Sequence, residues 1–220
     1  SSDLFKMNPE KLAYIFTTRG CPFKCIFCQK ELTGRGFRVR STEMIVDELE
    51  QIIREYNPGV VLFVDEILTL RKKRIHEMCD EIIRRGLKFE WIANTRADCV
   101  DYPLLKHMHR AGCRRIYYGW ESGSARMLDV LKKDLTPEDV IESAKLTRRA
   151  GIWSKVYLIV GSPGETIEDI QHTVDLMQRL HEVNPNFRNS PVYHYTPFPG
   201  TPMFEQAVAD GFEPPTDLEA

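Results

Sequence analysis

Six times along these 220 residues an apolar run rich in β-branched and aromatic side chains gives way to a polar loop and then to a helix-period segment. The runs are LAYIFTT (12–18), VVLFV (60–64), FEWIANT (89–95), RIYYGW (115–120), KVYLIV (155–160) and PVYHYT (191–196). Nearly continuous apolar strands of this length suit a parallel sheet buried on both faces. The segments between them carry helix signals. After Ser41, the residues Ile45, Leu49, Ile52, Ile53 and Tyr56 make one apolar face, and Pro58-Gly59 closes it. Ile75, Cys79, Ile82 and Ile83 repeat the pattern up to Gly86. Thr136-Pro137-Glu138-Asp139 reads as a cap, a first-turn proline and an acidic third position, opening a helix that stops at Gly151. Thr166 caps a helix whose apolar face is expected at Ile170, Val174, Met177 and Leu180. Thr201-Pro202 opens a last short helix before Gly211.

Six such units of about 37 residues each are the size of βα units. The periodicity allows an open doubly wound sheet or a barrel of the TIM kind. A complete eight-unit barrel takes about 250 residues, so six units would close only part of the way. Either architecture collects the loops that follow the strands at one face, where ligands bind. No low-complexity linker divides the chain, which is read as one domain over 1–220.

Composition narrows the class rather than the function. With 42% hydrophobic and 28% charged residues this is an ordinary globular chain. A net charge of −2 gives no bulk attraction to nucleic acid or to an anionic membrane. No run approaches the roughly 18 apolar residues of a membrane span, and the first residues do not read as a secretory signal. The cytoplasm is therefore the expected compartment, and the six cysteines are expected as thiols or metal ligands rather than disulfides.

Three of those cysteines fall in one loop. CPFKCIFC places Cys21, Cys25 and Cys28 directly after the first strand, at the functional face. Structural zinc takes four ligands, usually from paired cysteine motifs, and no fourth lies close in sequence. The next candidates, His76 and Cys79, sit on a helix face where Cys79 packs as a small apolar residue. An iron–sulfur cluster is the favoured reading: three thiolates leave one iron open, and Phe23, Ile26 and Phe27 shield it.

The loop RGCPFKCIFC resembles the cluster loop of the radical S-adenosylmethionine (radical SAM) superfamily. FVDEILT, WIANTRAD, GWESGSARML, VGSPGET and HYTPFPGTP, one after each later strand, are similar to further motifs of that family. Together they resemble the subgroup of cobalamin-binding methyltransferases and the anaerobic porphyrin ring cyclase, over roughly residues 10 to 213. The resemblance implies an α/β fold, a partial (β/α)6 TIM-like barrel with a parallel sheet and outer helices. It implies a 4Fe-4S cluster on Cys21, Cys25 and Cys28 whose open iron binds the amino and carboxylate groups of S-adenosylmethionine (SAM). Reductive cleavage of SAM then yields methionine and a 5′-deoxyadenosyl radical that takes hydrogen from the substrate. An electron donor such as flavodoxin or ferredoxin is implied as partner.

Residue by residue, the resemblance puts the Phe27 backbone beside adenine and Glu66 near the SAM ammonium, although DEI stands here in place of the commoner Gly-Gly-Glu. Arg96 is a candidate for the SAM carboxylate or for substrate. Glu121 and Ser122, from the ESG motif, fall near SAM polar groups, with helix capping the rival role for Ser122 or Ser124. Lys133 pairs with the SAM carboxylate. Gly161 lies in a turn beside adenine, and Tyr195 or Thr196 near adenine or substrate. In GRGFRVR (34–40), Arg35, Arg38 and Arg40 surround one phenylalanine and read as a solvated basic loop. His107 and His109, two apart on a helix, make a poor metal pair. Cys99 and Cys113 read as structural.

Relatives that use cobalamin carry the corrinoid module upstream of the barrel. Cobalamin would therefore reach this site only through a module missing from the sequence or carried by another protein. The competing functions are a non-catalytic electron-transfer or structural iron–sulfur module, which needs a fourth protein ligand, and a phosphate-binding barrel enzyme with incidental cysteines. The sequence names neither the substrate nor the bond made or broken.

Overall fold

The computed structural model describes residues 11–29, 34 and 36–215. Six parallel strands run in the order β1 (Leu12–Ile15), β4 (Val60–Phe63), β5 (Trp91–Thr95), β6 (Cys113–Glu121), β7 (Trp153–Val160), β8 (Phe187–His194). Because β1 and β8 do not pair with each other, the sheet remains an open half-barrel. Helices α1 (Thr42–Tyr56), α2 (Lys72–Arg84), α3 (Tyr102–Arg110), α5 (Pro137–Arg149) and α6 (Ile167–Val183) form a row across it, each packed on the next. The short α4 (Ala125–Val130) follows β6, and α7 (Pro202–Ala209) follows β8.

Alternation along the strands separates two faces. Ile15, Val61, Phe63, Trp91, Ala93, Ile116, Tyr118, Trp120, Val156 and Leu158 point at the helices and are buried in one core. Each of the large ones contributes roughly 1.5–3 kcal/mol by leaving water. The opposite set, including Leu62, Asn94, Tyr117, Lys155 and Tyr157, is only half-buried. The expectation of a sheet buried on both faces therefore fails on the inner one: an unclosed barrel cannot fill its own interior, and a trough results.

The helix signals act as expected at the ends. Ser41 caps α1, accepting from Met44 N at 3.3 Å, and Asn57 ends it in the left-handed region. Thr136 and Thr166 form capping boxes with Asp139 and Asp169. Ser124 caps α4.

Three sequence expectations need correction. On α6 the buried face is Asp169, Thr173, Leu176 and Leu180, while Ile170 and Val174 are 39% and 41% exposed. Polar anchoring turns the helix: the Thr173 hydroxyl accepts from Gly123 N at 2.9 Å, and Asp169 accepts from Ser124 Oγ at 2.6 Å and pairs with Arg126. The last strand starts at Phe187 and runs through Pro191; as an edge strand it tolerates a proline, and its ladder to β7 shifts register between Val156 and Leu158. Arg38 is exposed, as expected, but belongs to a short strand rather than a loop: β3 (Arg38–Val39) pairs antiparallel with β2 (Thr18–Arg19). Arg40 donates to Phe16 O and pairs with Glu48; Arg35 lies outside the described residues. No helix among the described residues is long and apolar enough to cross a membrane.

Candidate functional site

The loop carrying the three cysteines is braced from three distant parts of the chain. Where it leaves β1, the buried carboxylate of Asp65 accepts from Thr17 N at 3.1 Å, from Thr17 Oγ1 at 2.9 Å and from the Thr18 hydroxyl. Arg74 donates to Thr17 O at 3.1 Å. Burial pushes the Asp65 carboxyl above the usual aspartate range, against the Thr18 and Thr17 hydrogen bonds and the Arg74 charge. Gly20 has φ +88, and a Cβ there would meet Gly36 O at 2.1 Å, so only glycine fits beneath the returning segment. Further along, Ile26 N donates to Leu131 O, and Ile26 O accepts from Met203 N. The Ile26 side chain is buried with Leu131 and Met203. Gln29 Nε2 donates to Pro199 O at 2.6 Å.

Cys21, Cys25 and Cys28 line one cavity of about 520 Å³ at the loop end of the sheet. Of the sequence-predicted site residues, Phe27, Glu66, Arg96, Glu121 and Lys133 line the same cavity. Glu121 and Lys133 form a buried ion pair of 2.8 Å with side chains 8% and 7% exposed. Its geometry is forced: Glu121 has φ 65, rare for a residue with a side chain, and the β6–β7 register shifts between Gly119 and Glu121. A Cβ on Gly119 would lie 2.6 Å from Glu121 Oε1, so glycine makes room for the pair. Lys133 Nζ stands 5.8 Å over the Phe27 ring.

Arg96 follows β5 with its guanidinium 3.7 Å over the Phe23 ring. Two hydrogen bonds of 3.0 Å tie it to Asp98, which leaves its buried Nη1 without a partner. Burial opposes the Arg96 charge, but Asp98 outweighs it and the pKa sits above the ordinary arginine value. Glu66 is exposed at the cavity rim, whereas its neighbour Asp65 is consumed by the loop anchor.

Tyr195 lies in an adjoining cavity of about 330 Å³ that shares Phe27, Glu121 and Tyr157 with the first. Ser122 and Gly161 are not brought to either wall. Ser122 is buried against α6, its hydroxyl 3.3 Å from Thr173 Oγ1 and accepting from Ser124 N. Gly161, at φ 76, donates its N–H to Glu165 at 2.5 Å in the turn after β7. The motif alone gives Ser122 no direction, since a serine after a strand caps or binds with equal ease.

The donor set fits an iron–sulfur cluster. No cysteine is in a disulfide. Cys79 and Cys99 are pushed up to about 12 by burial and Cys113 well up for the same reason, so these three are inert thiols. Among the described residues no three His, Cys, Asp or Glu side chains converge tightly enough for one metal ion. Thiols spaced around a common cavity suit a cluster in which each takes its own iron. The orphaned Arg96 Nη1 beside Phe23 is one buried donor still waiting for an acceptor.

Sequence reasoning missed Asn94, Tyr117 and Tyr157 on the cavity wall and Asp65 as an anchor. Strand alternation would have placed the first three on the inner face once the outer face was fixed. The Asp65–Thr17 contact joins residues 48 apart and leaves no local trace.

The family model of the Radical SAM superfamily matches residues 15–177. An uncharacterized methyltransferase of Pyrococcus horikoshii is 32% identical over 209 residues, covering 94% of this chain and 44% of that protein. The anaerobic magnesium-protoporphyrin IX monomethyl ester cyclase of Cereibacter sphaeroides is 36% identical over 192 residues, covering 86% of this chain and 31% of that protein. The chain thus spans less than half the length of these curated relatives. Among solved structures, the radical S-adenosylmethionine methyltransferase TsrM from Kitasatospora setae, with cobalamin and a [4Fe-4S] cluster bound, superposes with a TM-score of 0.80 at 23% identity. That likeness covers 94% of this chain and 38% of TsrM and establishes the half-barrel fold.

Proposed function

The chain belongs to the radical SAM superfamily, and from that premise we propose that it is the catalytic core of a longer enzyme performing methyl transfer or ring formation. Membership brings a 4Fe-4S cluster and SAM as cofactors. When bound, the reduced cluster would supply one electron to the SAM sulfonium, breaking its bond to the 5′ carbon and releasing methionine and a 5′-deoxyadenosyl radical.

The residues have distinct tasks in this reading. Cys21, Cys25 and Cys28 hold three irons and leave the fourth open. Phe23, Ile26 and Phe27 exclude water and oxygen from them. Glu121 and Glu66 accept from the SAM ammonium, while Lys133 and the orphaned donor of Arg96 take the carboxylate. The Glu121–Lys133 pair is itself a carboxylate and an ammonium in contact. It can open to the two charged ends of an amino acid without leaving either charge bare. The Phe27 backbone meets adenine, with Tyr195 flanking it. Ser122 acts behind them, fixing the β6–α4 turn against α6. A flavodoxin- or ferredoxin-like donor supplies the electron, cobalamin is met through a module outside these residues, and the cytoplasm is the compartment.

The observation that carries this reading is the single cavity shared by three cysteines and a buried, opposite-charge pair. The test is anaerobic reconstitution, an iron count and incubation with SAM and dithionite. About four irons per chain and mass-detected 5′-deoxyadenosine or methylated product are expected. A cluster whose spectrum ignores SAM and which releases neither product would sink the proposal and restore the electron-carrier reading.

A further inference from the structure

The inner face of the half-barrel carries a row of side chains to which the reading above gives no role. On β6, β7 and β8, Tyr117, Tyr157 and Tyr193 follow one another, with ring centroids 6.0 Å apart for the first pair and 6.1 Å for the second. Tyr117 lies opposite Lys155 in the β6–β7 register, and Tyr193 lies opposite Ile159 in the β7–β8 register, so all project into the trough. Tyr117 and Tyr157 line the cysteine cavity, and Tyr157 and Tyr193 line the adjoining one, so the row leads from the cluster loop outward. Tyr193 remains 46% exposed.

Lys155 stands within this row, its ammonium 5.2 Å from the Tyr117 centroid and 5.6 Å from that of Tyr157. No carboxylate pairs with it among the described residues. Cation–π contact alone compensates only weakly for a half-buried ammonium. A bound anion would complete it. Phenol rings inclined to one another in a row, at the separations seen here, offer edges and faces to another flat ring.

Resting on the radical SAM reading above, we propose that this wall selects the substrate: a planar aromatic ring system bearing a carboxylate or phosphate, its ring against Tyr117, Tyr157 and Tyr193 and its anion on Lys155. The wall holds the ring beside Tyr157, which both cavities share, and directs the anion along the trough to Lys155 on the inner face of β7. An aliphatic substrate of equal volume finds the same burial without the ring contacts, and a neutral aromatic one leaves Lys155 uncompensated.

The experiment uses the cluster-reconstituted chain with SAM and no reductant, so that nothing turns over. Dissociation constants are measured calorimetrically for 2-naphthoate, 2-naphthyl phosphate, 2-naphthalenemethanol and decalin-2-carboxylate. At least one naphthyl anion is expected to bind about 10-fold or more tightly than either the neutral alcohol or the decalin acid. The tighter of the two naphthyl anions identifies the acid group. Lys155→Met should erase the preference over the alcohol while leaving the alcohol's own affinity within about twofold, and Lys155→Arg should retain the preference. Tyr157→Leu and Tyr193→Leu should erase the preference over the decalin acid. Iron content and far-ultraviolet circular dichroism confirm that each variant is folded and loaded. Equal binding of all four probes, binding of none, or a Lys155→Met protein indistinguishable from the parent would overturn the proposal. SAM cleavage under dithionite is measured on the same preparation. Cleavage without probe selectivity rejects this inference alone, whereas selectivity without cleavage rejects the catalytic reading alone.

Discussion

Replacing Glu121 by Gln removes the carboxylate that faces Lys133 and leaves an ammonium 7% exposed with only an amide oxygen for company. Stranding one member of a buried pair costs about 3–5 kcal/mol. Gln keeps one acceptor, which places the expected loss near the lower end, about 3 kcal/mol. With a urea dependence of about 2.5 kcal/mol per molar, the unfolding midpoint should fall by about 1 M. The double variant Glu121→Gln/Lys133→Met leaves no charge to strand and should recover most of that loss, ending within about 1 kcal/mol of the parent. The assay is equilibrium urea unfolding of the cluster-free chain under reducing, anaerobic conditions, followed by far-ultraviolet circular dichroism. SAM affinity of the reconstituted single variant should drop about 10-fold or more, one charge-assisted hydrogen bond having been lost. A single variant as stable as the parent, or a double variant no better than the single, would refute the argument that the pair is buried and isolated. Unchanged SAM affinity would remove Glu121 from the proposed ligand set.

Two further expectations concern the scaffold. Asp65→Asn turns a carboxylate that accepts from three donors into a mixed donor and acceptor and removes the charge that faces the buried Arg74. It should cost about 2–4 kcal/mol in the same urea assay and speed iron release to a chelator; stability and release at parental values would show that the anchor is dispensable. His107 donates or accepts at 2.8 Å with His76 across α2 and α3, and its pKa is lowered from 6.5 by burial, with Asp80 opposing and His76 adding. The unfolded chain therefore takes up that proton first, so its contribution is intact above about pH 6.5 and lost as the pH falls through the folded value. The urea midpoint should be lower at pH 5.5 than at 7.5, and His107→Gln should shrink the difference, part of which persists because His109 is shifted the same way. An equal drop in the variant would remove His107 as a cause.

The elements legible in the sequence are those whose cause is local. Capping at Thr136 and Thr166 is written in four consecutive residues, and β-branched runs mark all six strands. Cx3Cx2C spacing after a strand points to its metal chemistry without reference to the rest of the fold. What escaped is set by partners far along the chain. The periodic stripe Ile170–Val174 looks like a core face, yet Asp169 and Thr173 turn inward because Ser124 and Gly123 lie opposite. Arg38 and Val39 join a strand only because Thr18 and Arg19 offer an edge. Likewise His107, judged against His109 on its own helix, finds His76 on the neighbouring one. Within the site, Phe27, Arg96, Glu121 and Lys133 line one cavity with the cysteines, whereas Ser122 stands behind the wall and the aromatic row has no motif at all.

Bracing the cysteine loop with Leu131, Pro199 and Met203 has a consequence for how the molecule is made. Gln29 and its partner are separated by 170 positions, so during synthesis the thiols emerge long before the segments that hold them in place. A nascent chain halted after β7 would already carry the braces from Asp65, Arg74 and Leu131 but would lack those from Pro199 and Met203. The complete cradle around the three sulfurs therefore exists only in a chain that extends through the start of α7.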